Sequence, residues 1–345
     1  MSIKYRENGN AAIITLNRPN NLNALNYEMI TSIEECLNNI NKNKNIKLVI
    51  FKGEGEKAFC AGGDVKSFYE EKCTNSNVLR KNFFYREYKL NYLIKKYKKP
   101  IISFVNGICM GGGVGIAMHS SIVVVSENVK FAMPETTIGL FPDVGSVNFL
   151  SKLKNNIGIY VALTGKRLVS GDLIKLGLAN YCISRNNFNS LEKRLINIKN
   201  IRSIHKIIDE YSENTNSIIF PSLNKNINSI FKYNTVEKII SLLESSNDIW
   251  AQEALNAINK SSPTSLKISL KQLRLAKYKS FKDNLIMDYR LSQSCMAGVD
   301  FYEGVRSVLV DKDFKPIWNP AKVENVSSKL VNSHFKSLGE GDLKI

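Results

Sequence analysis

At 345 residues, with 43% hydrophobic and 23% charged side chains, the chain has the make-up of a globular protein of one large domain or two smaller ones, with a core of useful size. A disordered or collagen-like chain is excluded, and no apolar run approaches the ~20 residues that a membrane-spanning helix needs. The formal charge of +17 suits anionic partners: nucleic acid, an anionic membrane or a phosphorylated small molecule.

The N-terminus, Met1-Ser2-Ile3-Lys4-Tyr5, shows neither a signal-peptide core nor a transit-peptide pattern. Residues 11–17 read as a buried strand that Arg18-Pro19 breaks. Met29, Ile33, Cys36, Leu37 and Ile40 then fall on one helical face. Leu48-Val49-Ile50-Phe51 is a second strand, closing a right-handed β–α–β unit. A small-residue turn, Ala58-Phe59-Cys60-Ala61-Gly62-Gly63-Asp64, leads toward a long helical stretch over about 77–98. That stretch ends in Lys95-Lys96-Tyr97-Lys98-Lys99, a favourable charge for a helix C-terminus and, like most charge runs, expected on a solvated face. The strand Ile101-Ile102-Ser103-Phe104-Val105 precedes a glycine cluster, Gly107 to Gly115, and the strand Ile122-Val123-Val124-Val125 follows it. Buried strands alternating with helices predict a parallel α/β core. From about 190 to 289 the pattern is helical, with polar loops such as residues 211–217. Ser262-Pro263-Thr264-Ser265 has the hydroxyls and the proline of a helix start.

Cys36, Cys60, Cys73, Cys109, Cys182 and Cys295 include no C-x-x-C pair, and their spread fits a reducing compartment with free thiols. With three histidines and no zinc spacing, no metal site is expected.

The loops bound the chemistry. The glycine cluster holds no G-x-G-x-x-G register, and Gly165-Lys166 is followed by Arg167, so dinucleotide and P-loop readings fail. What remains is either tight strand–helix packing or a helix N-terminus presenting N–H groups to an oxyanion. The 58–64 turn offers a second such donor, or only a helix cap at Asp64. Glu135 and Asp143 lie eight residues apart in a stretch otherwise apolar or rich in Gly and Pro. Such acids are either on a surface turn or buried with raised pKa, suited to general acid–base work. No G-x-S-x-G elbow supports a serine nucleophile.

Together, Asn17-Arg18-Pro19 with Leu22-Asn23-Ala24-Leu25, then Phe59-Cys60-Ala61-Gly62-Gly63-Asp64, then Gly111-Gly112-Gly113, resemble the crotonase (enoyl-CoA hydratase/isomerase) superfamily. Four further stretches resemble its branch that hydrolyses 3-hydroxyisobutyryl-CoA and similar 3-hydroxyacyl-CoA thioesters: residues 133–145, 262–268, 289–293 with 303–313, and 334–339. The resemblance spans nearly the whole chain. It implies an α/β fold, a crotonase-type spiral of β-β-α turns over residues 1–200, with a C-terminal helical region over 201–345 packing on it. It implies an oxyanion hole from the Gly63 and Gly112 N–H groups, catalysis by Glu135 and Asp143, and an acyl pocket lined also by Glu87. The hydratases carry a glutamate where this chain has Gly115, which turns the reading from hydration toward thioester hydrolysis. Coenzyme A enters as part of the substrate, and no metal or redox cofactor is required. The resemblance places the chain in valine catabolism in the mitochondrial matrix; without a visible transit peptide, the cytoplasm is the other location. It leaves room for a homo-oligomer and no role for a membrane. Two other readings remain: an enoyl-CoA isomerase, and a structural protein of the mitochondrial small ribosomal subunit derived from the hydrolase, for which +17 suits ribosomal RNA.

Overall fold

Nine short strands set the frame of the computed structural model, which describes residues 1–73, 78–215 and 224–345. They are β1 (Ile3–Asn8), β2 (Ala11–Leu16), β3 (Leu48–Gly53), β4 (Ala58–Cys60), β5 (Ile101–Val105), β6 (Ile108–Met110), β7 (Ile122–Val125), β8 (Lys130–Ala132) and β9 (Tyr181–Cys182). The main sheet runs β1-β2-β3-β5-β7-β9, with β1 antiparallel to β2 and the other pairs parallel; β4, β6 and β8 form a second, smaller sheet. The parallel strands come from the β-branched runs read in the sequence. β1 went unread because only Ile3 of its six residues is buried; its charged side chains suit an exposed sheet edge.

The chain divides into two compact units. The first comprises Met1–Gly63, Lys89–Phe131 and Leu168–Phe220, and the second Asp64–Tyr88, Ala132–Arg167 and Pro221–Ile345. Each unit is therefore drawn from three separate stretches, whereas the sequence reading took two consecutive ones, 1–200 and 201–345. The helical region begins not at a single boundary but with segments that leave and re-enter the strand-bearing unit.

In the first unit, alternate residues of the strands (Ala11, Ile13, Leu48, Ile50, Ile102, Phe104, Ile122, Val124) pack with Phe188, Leu191 and Leu195 of the Phe188–Ile196 helix. The Tyr27–Lys42 helix packs on β1 and β2 and buries Met29, Ile30, Ile33, Leu37 and Ile40, each worth about 1.5–3 kcal/mol. Asn26 caps its start by accepting the Met29 N–H. At its end, Lys99 Nζ donates to the Ile40 and Asn43 carbonyls at 2.5 and 2.6 Å. One lysine of the basic block thus caps a helix rather than merely facing solvent.

The second unit is mainly helical. It includes the Val236–Glu244, Ile249–Lys260, Pro263–Ala276 and Phe281–Ala297 helices. As the sequence suggested, Ser262 caps the Pro263–Ala276 helix by accepting the Ser265 N–H. Phe68, Phe83, Phe84 and Phe301 form an aromatic cluster with ring centroids 5.1–5.9 Å apart. Cys36, Cys60, Cys109, Cys182 and Cys295 are free thiols. The Cys73 side chain, Asn77 and the end of the polar 211–217 loop lie outside the described residues. No helix among those described is long and apolar enough to cross a membrane.

Candidate active site

The site residues named from the sequence fall into two groups, one in each unit. Those of the first unit are backbone. Gly63 lies in the loop after β4, and Gly112 opens the Gly112–Ala117 helix after β6. β4 and β6 are paired in parallel, Ala58 with Ile108 and Cys60 with Cys109, so the two loops leave the same end of the small sheet. A Cβ on Gly62 would lie 3.9 Å from the Gly112 nitrogen, which places the loops side by side. Gly113 has to be glycine for close approach: a Cβ there would stand 2.4 Å from the Cys60 carbonyl oxygen.

The Leu22-Asn23-Ala24-Leu25 motif braces the first loop. Asn23 Nδ2 donates to the Ala58 and Glu54 carbonyls, the Leu25 N–H to the Gly62 carbonyl, and the Ala61 N–H to the Leu22 carbonyl. Of the two readings left open at the sequence level, the geometry shows the tight packing. The two glycine loops lie side by side, the proximity that an oxyanion hole with one donor from each loop would require.

The second unit supplies the acids. Glu87 lies in the Val78–Lys95 helix, Glu135 begins a 3₁₀ turn (Glu135–Ile138), and Asp143 lies in the irregular chain beyond. All three carboxyls are buried, at 2%, 5% and 4% exposure, so a surface turn does not describe Glu135 and Asp143. Burial pushes the Glu135 pKa well above the ordinary range, and the Asp143 and Glu87 charges push it further. Glu87 is raised by burial and by Asp143. Asp143 is pushed up to about 7 by burial, against the pull of the Tyr88 hydroxyl, which donates to its Oδ2 at 2.7 Å. The structure therefore brings Glu87, Glu135 and Asp143 into one electrostatic cluster, in which the charge on one acid bears on the proton of another. Glu87 Oε1 and Glu135 Oε2 are buried and accept no hydrogen bond, a costly state of the kind found at functional sites.

The Glu135 turn is held from behind by the C-terminal helices of its own unit. The Ser262 N–H donates to the Thr136 carbonyl at 3.0 Å, and Thr136 Oγ1 meets Ser261 Oγ at 3.1 Å. Gly139, at φ +68°, ends the turn against the Asp300 backbone, where a Cβ would meet the carbonyl at 2.3 Å. Ser262 Oγ donates in turn to Asp300 Oδ2 at 2.6 Å.

One partner of Asp143 and two of the chain beside it escaped the sequence reading. Tyr88 adjoins Glu87 and packs on Phe84 with ring centroids 5.7 Å apart; its place beside a named acid was the one available signal. Gln272 and Asp288, each inside a helix, bond to the chain around Asp143, and no motif marked them.

Residues 11–335 match the family model described as enoyl-CoA hydratase/isomerase, and the chain belongs to that family. Its fold is the α/β fold that the motifs implied. A solved enoyl-CoA hydratase from Rhodobacter sphaeroides 2.4.1 superposes with a TM-score of 0.93 at 31% identity, over 100% of both chains. Within the family, the chain is 44% identical over 350 residues to the mitochondrial 3-hydroxyisobutyryl-CoA hydrolase of Gallus gallus, covering 99% of this chain and 91% of that one. The protein of that name from Mus musculus is 44% identical over 343 residues, covering 97% and 89%.

Proposed function

We propose that the chain hydrolyses 3-hydroxyisobutyryl-CoA, and similar 3-hydroxyacyl-CoA thioesters, to the free hydroxy acid and coenzyme A, a step of valine breakdown. The observation that carries this reading is near-full-length identity of 44% to hydrolases of that name. A buried cluster of acids is the chemistry such a reaction needs.

In this reading the thioester oxygen takes its hydrogen bonds from the Gly63 and Gly112 N–H groups, each typically worth ~3 kcal/mol as negative charge develops on it. Glu135, deprotonated, acts at the carbonyl carbon. Either it removes a proton from the attacking water, or its oxygen attacks and forms an acyl anhydride that water then opens. In both routes the C–S bond breaks and the thiolate of coenzyme A leaves and takes up a proton. Asp143 and Glu87 line the acyl group, and Asp143 holds the β-hydroxyl or the water. No metal or redox cofactor enters these steps. The relatives' names carry the word mitochondrial, and on that ground the reading puts the chain in the mitochondrial matrix.

The test follows free thiol released from 3-hydroxyisobutyryl-CoA, beside loss of the double bond from an enoyl-CoA ester, with and without a chelator. Thiol release that the chelator leaves unchanged, with no hydration, is expected. Hydration without thiol release would overturn the reading.

A further inference from the structure

The chain on either side of Asp143 is held by two side chains more than a hundred residues away. The Gln272 amide donates to the Pro142 carbonyl at 3.0 Å and to Asp288 Oδ1 at 2.7 Å. Asp288 Oδ2 accepts the Gly145 N–H at 2.8 Å. The pair therefore spans the 142–145 segment, one residue before Asp143 and two after it. Between the two anchors Val144 sits at φ +52°, a left-handed conformation that a β-branched residue adopts only where its surroundings impose it.

Both side chains are fully buried. Apolar residues would fill the space between the Pro263–Ala276 and Phe281–Ala297 helices at less desolvation cost than an amide and a carboxyl. What the polar pair adds is two fixed hydrogen bonds to the backbone around one acid.

We propose that Gln272 and Asp288 are positioning residues, which hold the strained 142–145 segment so that Asp143 meets the substrate's β-hydroxyl. The proposal rests on the hydrolase reading and, of the two places that reading allows Asp143, on the one at the β-hydroxyl rather than at the water.

Asp288→Asn tests it. The amide keeps the shape but offers one acceptor where two donors point, so one anchor is lost. On 3-hydroxyisobutyryl-CoA, kcat/KM is expected to fall roughly tenfold to a hundredfold, the scale of a misplaced catalytic group. On isobutyryl-CoA, which lacks the hydroxyl, the loss stays below about threefold, because the group being positioned has nothing to hold. In an Asp143→Asn background, Asp288→Asn adds less than about twofold, since residues acting through one another are not additive. Gln272→Met, which removes the other anchor, carries the same expectation should Asp288→Asn fail to fold; thermal melts establish which variants are native. Equal losses on the two esters, or losses that multiply in full with Asp143→Asn, would overturn the positioning role while the hydrolase reading stands. A parent protein that cleaves neither ester would overturn both.

Discussion

Asp143 shows at the scale of one residue how the fold sets chemistry. Its carboxyl titrates at about 7 when buried, against 3.8 for the ordinary group. Between those values the folded chain holds a proton that the unfolded chain has lost. Stability from this group is therefore greatest below about pH 4 and falls as pH rises toward 7. Asp143→Asn removes the titration while its amide oxygen still accepts from Tyr88. The variant should melt above the parent by a larger margin at pH 8 than at pH 5, a difference of roughly a few degrees. Melting curves of both proteins at the two pH values check this, and an equal margin at both would contradict the assigned burial cost.

The acids were not equally readable. Glu135 and Asp143 stand out because their neighbours are apolar, Gly or Pro, where a carboxylate without partners is costly. Glu87 lies among the lysines and tyrosines of a polar helix, and only the family resemblance raised it. Asp288 and Gln272 were invisible because their role depends on contacts 143 and 130 residues away.

Elements carry the next level of organisation. The C-terminal helices do more than cover the rest of their unit: the start of the Pro263–Ala276 helix is where the Glu135 turn is anchored. Ser262 has two tasks there. Its backbone N–H holds the Thr136 carbonyl, and its hydroxyl caps the helix and bonds Asp300. Ser262→Ala should separate them. Losing the cap costs about 1–2 kcal/mol, or roughly 2–8 °C in Tm. The backbone anchor remains, so kcat should stay within about threefold. An unchanged Tm would contradict the capping role, and a large fall in kcat would show that the hydroxyl, not the backbone, holds the turn. This helix start was legible because proline and hydroxyl caps are local signals. The small sheet of β4, β6 and β8 was not, since strands of three residues are too short to show a period. Yet that sheet aligns the two glycine loops, which the sequence displayed only as separate small-residue runs.

At the scale of the whole molecule, motif order was enough to read the α/β class and the family, because each loop sits at a strand or helix end that local patterning reveals. The interleaving of the two units was not legible, because residues 64–88 and 132–167 join the second unit through long-range packing that leaves no periodicity. Among the anionic partners that the surplus of positive charge suits, the family resemblance singles out ribosomal RNA and a phosphorylated small molecule, coenzyme A. Near-full-length identity to named hydrolases and the buried acids favour the second. The central claim is that Glu135 acts at the thioester carbonyl. The measurement that tests it most directly is coenzyme A release from 3-hydroxyisobutyryl-CoA by Glu135→Gln, whose amide keeps the shape and loses the base or nucleophile. A fall in kcat of at least ~10²-fold is expected, with the variant folded as the parent is. Release at the parent rate would contradict it.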